Sequence, residues 1–245
     1  MSYWDKVSEE YDILVENKDL LRTEILNKSL VNLLGDLKDK DVLDAGCGQG
    51  YLSNIISKRG GRVIGIDNSK KLISIAKKKY GFSVDNFEVE NLKNKLTFDN
   101  DYFDVVVCSM VLMDFNPIEK TIKEFYRIMK TKGSLIISLP HPAFFTGKLH
   151  KTFLDKVMNR VPHYDIKKYK EPFKKMVEIN GLSEKTPFYH RSIEYYVSLL
   201  LKNGFSIKGL EEPVLNKDNE NDINNFLKLC MEIPPFLLIK AEKSS

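Results

Sequence analysis

Apolar positions in the first 39 residues recur at helical spacing. Leu20, Leu21, Ile25, Leu30, Val31, Leu33 and Leu34 share one side of a helix, and Gly35 ends it. From residue 41 the pattern changes to short apolar runs alternating with amphipathic stretches. Asp41–Ala45 reads as a buried strand, 51–58 as a helix closed by Gly60-Gly61, and Arg62–Asp67 as a second strand. Ser69 caps a helix running to Lys79, and Gly81 stops it. Residues 87–89 form a short third strand. Phe103–Ser109 is a fourth, apolar enough to be covered on both faces. Pro117 opens a helix reaching Met129, and 133–139 is a fifth strand. The alternation predicts an α/β fold: a parallel sheet, helices on both faces, right-handed crossovers. Ligands of such sheets bind at the carboxyl ends of the strands, which sets Asp44, Asp67, Glu88 and Ser109 along one rim.

Residues 140–190 break the rhythm. They carry prolines at 140, 142, 162, 172 and 187, many aromatics, and about ten basic residues against about five acids. So long a structureless loop is unusual, so 143–190 is expected to be an inserted substrate lid holding one or two short helices. The rhythm then resumes with a helix over 192–202, Gly204 as its stop, a strand over 205–210, a helix over 218–229 and a last strand over 235–240. The expectation is a single domain over 1–245, with a helical segment at 1–39 and the insert at 143–190.

Composition narrows the partners. The formal charge of +4 among 245 residues demands neither nucleic acid nor an acidic membrane surface. Cys47, Cys108 and Cys230 lack C-x-x-C spacing, so neither a metal site nor a disulfide framework is expected, and a reducing cytoplasm fits. The start of the chain has no signal-peptide core, and no stretch approaches the roughly 20 apolar residues of a membrane span. Oligomeric state is not legible.

The densest motif is Val42-Leu43-Asp44-Ala45-Gly46-Cys47-Gly48-Gln49-Gly50. Glycine lets backbone approach a ligand, and a helix N-terminus presents free N–H groups. The dinucleotide pattern G-x-G-x-x-G needs a glycine where Tyr51 stands. Alternate glycines after an acid instead resemble the first motif of class I methyltransferases that use S-adenosylmethionine. Asp67, 17 residues after Gly50, suits the two ribose hydroxyls of a nucleoside.

The rest of the chain extends the resemblance. Phe87-Glu88-Val89-Glu90-Asn91-Leu92 is similar to the family segment in which an acid takes the adenine amino group and the next N–H meets the ring; by position these are Glu88 and Val89, with Glu90 as substitute. Asn68 stands where the family often sets an apolar residue against adenine. The turn after the fourth strand passes under the methionine part of the cofactor, so Ser109 and Met110 are expected to touch it. Asp44, Gly46, Cys47 and Gly48 complete that set. Tyr3-Trp4-Asp5 and Glu10-Tyr11-Asp12 are similar to a leading Trp and Tyr-Asp signature, which makes Tyr11 either a cover for the ligands or plain helix packing. These elements resemble the type-11 methyltransferase domains, akin to the ubiquinone-biosynthesis methyltransferases. The resemblance implies a Rossmann-like, seven-stranded, mostly parallel sheet with an antiparallel last strand, and S-adenosylhomocysteine as product.

Methyl transfer from a sulfonium needs alignment and a dry site, and a hydroxyl acceptor also needs a base. His141, between Pro140 and Pro142 after the fifth strand, is the natural base, with a structural role in holding the lid as its alternative. His190 and Arg191, at the far end of the insert, are candidate acceptor contacts; Arg191 equally suits an ion pair with Glu211 or Glu212. The expected activity is transfer to a small molecule, at oxygen, nitrogen or carbon. A tRNA or protein methyltransferase and a non-catalytic regulatory protein that binds S-adenosylmethionine are the rivals. Calorimetry should find binding of S-adenosylmethionine and S-adenosylhomocysteine and none of NAD; the reverse would overturn the reading of the glycine spacing.

Overall fold

The apolar runs become strands in the computed structural model, which describes residues 2–16, 21–145, 148–150, 163–166, 168–216, 227 and 229–244. In chain order these strands are β1 (Asp41–Ala45), β2 (Arg62–Asp67), β3 (Asn86–Val89), β4 (Phe103–Ser109), β5 (Met129–Pro140), β6 (Lys148–His150), β7 (His163–Asp165), β8 (Phe173–Val177), β9 (Thr186–His190), β10 (Phe205–Glu211) and β11 (Phe236–Lys243). Seven form one sheet in the order β10-β11-β5-β4-β1-β2-β3. β11 runs antiparallel to both its neighbours, and the other pairings are parallel. This is the expected Rossmann-like architecture.

Strand alternation explains the near-continuous apolar runs. On β4, Val106 and Cys108 join one core with Leu43, Ala45 and Ile66. Val105 and Val107 join the core on the other face with Val42 and Val63. The helices that cover these faces are α1 (Tyr3–Lys6), α2 (Ser8–Glu16), α3 (Asn27–Leu34), α4 (Tyr51–Ser57), α5 (Lys70–Tyr80), α6 (Glu119–Ile128) and α7 (Ile193–Lys202), with a π-helical turn over Leu21–Leu26. The helical segment expected at 1–39 is therefore broken into pieces. Its first piece is held over the sheet rim by Asp5, whose carboxylate accepts from Ser69 Oγ at 2.7 Å and from the Lys71 N–H at 3.2 Å. Burial works against that charge, but the hydrogen bonds from Ser69, Lys71 and Ser2 outweigh it and leave the Asp5 pKa below its usual value.

One expectation needs correction, and two others fall largely on residues outside those described. α6 stops at Ile128, and Met129 already pairs with Phe103; a bulge then sets Ser134 opposite Val105, so β5 begins earlier than residue 133. Among the described residues the insert contributes two antiparallel strand pairs, β6–β7 and β8–β9, and residues 151–162, where a short helix of the insert would fall, lie outside the described residues. Most of the helix expected at 218–229 lies outside the described residues.

Arg191 faces the interior. It is buried, Nη1 donates to the Leu112 carbonyl at 2.9 Å, and Nη2 donates to the Phe115 carbonyl at 2.7 Å and Asn116 Oδ1 at 2.9 Å. Its guanidinium also lies over the rings of Tyr189 and Tyr195. These bonds replace both the acceptor clamp and the pairing with Glu211 or Glu212, because the loop after β4 buries carbonyls that need donors. Arg191→Leu should therefore destabilise the protein by about 2–4 kcal/mol in urea unfolding, through unpaired buried carbonyls. A change within experimental error would show that the loop satisfies itself.

Candidate active site

The rim gathers around the turn after β1. Gly46, Gly48 and Gly50 all take left-handed backbone angles, with φ of 85°, 56° and 88°. At Gly46 the fit is also steric: a Cβ there would lie 2.4 Å from Val111 Cγ2 in the loop after β4. A Cβ at Gly48 would lie 3.3 Å from the Tyr11 ring, so α2 lays an aromatic side chain directly on the turn. Tyr11 in turn meets the Trp4 ring edge-on at 5.2 Å.

A pocket opens beside this turn. Asp44, Gly46, Cys47, Ser109, Met110 and Tyr11 all line it, so six of the residues singled out in the sequence converge there. Ser109 Oγ shares a 2.8 Å hydrogen bond with Ser138 Oγ, and Met110 adopts a left-handed φ of 59° that turns the chain off β4. Asp44 is buried and accepts from Ser53 Oγ at 2.6 Å. No lysine, arginine or histidine among the described residues pairs with it. Burial pushes its pKa up to about 7; the Ser53 hydrogen bond resists and the Asp67 charge adds. Burial likewise raises the Cys47 thiol well above its usual value.

Asp67 sits next to this pocket. Its carboxylate accepts from the Gly48 N–H at 3.0 Å and the Ser69 N–H at 2.8 Å. A carboxylate has about four acceptor positions, so two remain for hydroxyl donors. Burial raises its pKa, and the two backbone bonds offset part of that rise. The β2–β3 register places Glu88 beside Ile66 and Val89 beside Asp67. Glu88 is half-buried and holds the Asn86 amide, while Asn68 and Val89 are exposed. These three stand on the same rim but outside the pocket lining.

The histidines are placed differently from expectation. His141 is buried; the Ala143 N–H donates to Nδ1 at 3.2 Å, so Nε2 carries the proton and donates to Glu212 Oε1 at 2.6 Å. Both nitrogens are occupied, and the ring joins the end of β5 to the segment after β10. The structure thus corrects His141 from general base to a fastening for the insert. His190 Nε2 donates to the Tyr169 carbonyl at 2.8 Å, and its Nδ1 is buried without a partner.

Three rim residues escaped sequence reasoning. Gln49 lines the pocket with both side-chain amide atoms buried and unpaired. Arg22, from the π-helical turn, lines the same pocket and lies over the Tyr11 ring at 5.7 Å. Asp114 accepts from the Trp4 indole N–H at 3.1 Å; burial pushes its pKa up to about 8, with the Trp4 bond resisting and the Asp67 charge adding. Each carried a weak signal: a polar side chain inside an apolar or glycine-rich run.

Comparison with known proteins agrees with this geometry. A family described as "Methyltransferase domain" matches residues 43–137. A solved structure from Listeria monocytogenes, described as an S-adenosylmethionine-dependent methyltransferase, superposes with a TM-score of 0.75 at 28% identity, covering 89% of this chain and 96% of its own. The chain belongs to the class I S-adenosylmethionine-dependent methyltransferases. The mitochondrial ubiquinone biosynthesis O-methyltransferase of Rattus norvegicus is 30% identical over 76% of this methyltransferase and 57% of its own length. An uncharacterised protein of Haemophilus influenzae is 29% identical over 98% of the chain and 95% of its own. The protein is an enzyme, and S-adenosylmethionine is its cofactor. No helix among the described residues is long and apolar enough to cross a membrane.

The residues present suit that cofactor. A buried acid without a counter-charge matches an α-ammonium group, and an unpaired buried amide matches a polar ligand. The raised acids have a consequence for the methyltransferase without ligand. A carboxyl whose folded pKa exceeds its unfolded value stabilises most at low pH, and that contribution is lost as pH rises through the folded value. Unfolding free energy should therefore fall between about pH 4 and pH 8, and Asp44→Asn or Asp114→Asn should flatten the decline. Urea titrations across this range check it; an unchanged slope in both variants would contradict the raised values.

Proposed function

We propose that this methyltransferase, with S-adenosylmethionine in the pocket beside the glycine turn, acts on a small molecule bearing an apolar or aromatic body. The observation that carries this is Asp44: a buried acid, with Ser53 as its hydrogen-bond donor, lining a pocket together with the unpaired amide of Gln49. S-adenosylmethionine supplies an electrophilic methyl group when bound there. Asp44 holds its ammonium group and Arg22 its carboxylate, so the two charges of an amino-acid end are matched. Asp67 accepts the ribose hydroxyls, and Glu88 with the Val89 N–H reads the adenine edge. Tyr11 covers the turn, Ser109 and Met110 support the methionine chain, and water is excluded from the reacting atoms.

An acceptor that must lose a proton finds Asp114. Its Oδ2 is held by Trp4, and among the described residues no group donates to Oδ1. The rat relative's name makes an O-methylation the first reaction to test. A small acceptor also suits the charges of the insert. Among the described residues, Lys170 pairs with Glu194 and Lys185 with Glu178, so acids are interleaved with the basic residues of the insert.

Labelled S-adenosylmethionine incubated with a fractionated small-molecule extract should transfer its label to a low-molecular-weight fraction. Transfer only to RNA or protein would replace the small-molecule reading, and binding with no transfer to any fraction would favour the non-catalytic one. Asp67→Ala should weaken S-adenosylmethionine binding by about 1.5–3 kcal/mol with the fold intact. Asp114→Asn should keep that affinity and slow transfer about a hundredfold or more. Wild-type affinity in the first variant, or wild-type rate in the second, would remove that residue's role.

A further inference from the structure

Ammonium groups drawn into a folded chain need partners. Among the described residues, four part-buried lysines have oxygen partners. Lys79 pairs with Asp12 and Glu16, and Lys130 with Asp41 and Asp104. Lys240 donates to the Leu33 carbonyl, and Lys243 to Asp101 and the Met129 carbonyl. Lys175 is different. It is half-buried, and no carboxylate among the described residues lies within ion-pair distance of it. Its Nζ stands 5.5 Å from the centre of the Phe145 ring and 5.7 Å from that of Phe188. Burial draws its pKa below the usual lysine value.

The register of the β8–β9 hairpin shows which way Lys175 faces. Directly opposed residues share a face, and here Phe173, Lys175 and Val177 oppose His190, Phe188 and Thr186. Phe188, His190 and Thr186 are buried, whereas Lys174 and Met176 on the other face are exposed. Lys175 therefore points inward, toward the domain. That inner face lies over the rim. The Tyr189 N–H donates to the Met113 carbonyl at 2.7 Å, which fixes β9 to the loop after β4, and Phe145 comes from the turn that follows β5. Phe145 leaves 42% of its surface open, so one wall of this aromatic step is uncovered.

We propose that Lys175, Phe145 and Phe188 form an acceptor subsite for an aromatic carboxylate, with the carboxylate on the Lys175 ammonium and the ring on the two phenylalanines. The inference rests on the small-molecule methyl-transfer reading and adds a charge to its acceptor. A single ammonium balances a single negative charge. A phosphate dianion would call for a second cation, and Lys174 turns away to the Tyr189 ring. The carboxylate is the handle, and the methylated atom lies elsewhere on the same molecule.

Calorimetry can test this without knowing the natural acceptor. The protein is first saturated with S-adenosylhomocysteine, then titrated with benzoate and with benzyl alcohol, in wild type, Lys175→Gln and Lys175→Arg. Benzoate should bind more tightly than benzyl alcohol. Lys175→Gln should weaken benzoate about tenfold to a hundredfold, and Lys175→Arg should restore most of the loss. Unchanged S-adenosylhomocysteine affinity shows that each variant is folded; should Lys175→Gln fail that check, Lys175→Met takes its place. Benzoate affinity that ignores residue 175, or no benzoate binding to the loaded wild type, would overturn the subsite alone. Failure of the wild type to bind S-adenosylhomocysteine would overturn the methyl-transfer reading beneath it.

Discussion

The rim is organised around a carboxyl group buried on the central strand of a parallel sheet. Asp44 follows two residues that fill the cores on opposite faces of β1, and it lies between β2 and β4. A charge there is opposed by desolvation, which is why its pKa rises to about 7. Replacing it with an apolar residue would relieve that penalty, so a purely structural account leaves its presence unexplained. In the function proposed above, the ammonium group of the cofactor is the counter-charge that this position lacks.

Everything above Asp44 is arranged by contacts between segments remote in sequence. Gly46 has no side chain where Val111 presses in, so the loops after β1 and β4 interlock. Asp5 holds α1 to the start of α5, and Trp4 reaches from α1 to Asp114. Tyr11 then falls on Gly48. A short helix at the start of the chain becomes part of the rim because its acid caps another helix. The stability of α1 is thereby coupled to the geometry of the pocket.

The insert is attached to the same rim by hydrogen bonds and packing. His141 fastens its first residues to Glu212, and Arg191 fastens its end to three oxygen atoms of the loop after β4. Both residues have the chemistry of an active site, and both are engaged in structural work. Lys175 is the reverse case, an ordinary member of a basic segment in the sequence whose strand face turns it inward.

The sequence by itself determined the α/β class, the parallel core strands, the glycine turn and the acids at the strand ends. These follow from local periodicity and backbone preference, which depend on near neighbours along the chain. It also placed Asp44 and Asp67 on the carboxyl-end rim, since each ends or nearly ends a recognisable strand. Only the tertiary structure decided which polar side chains remained available. His141 and Arg191 lost their candidacy to partners 71 and 75 to 79 residues away. Gln49 and Arg22 share the pocket because folding brought the glycine turn and the π-helical turn together, and Asp114 is tied to Trp4 of α1 by a hydrogen bond. Hydrogen-bond donors and acceptors are satisfied by whichever groups folding brings within about 3 Å, and that pairing is a property of the packed chain.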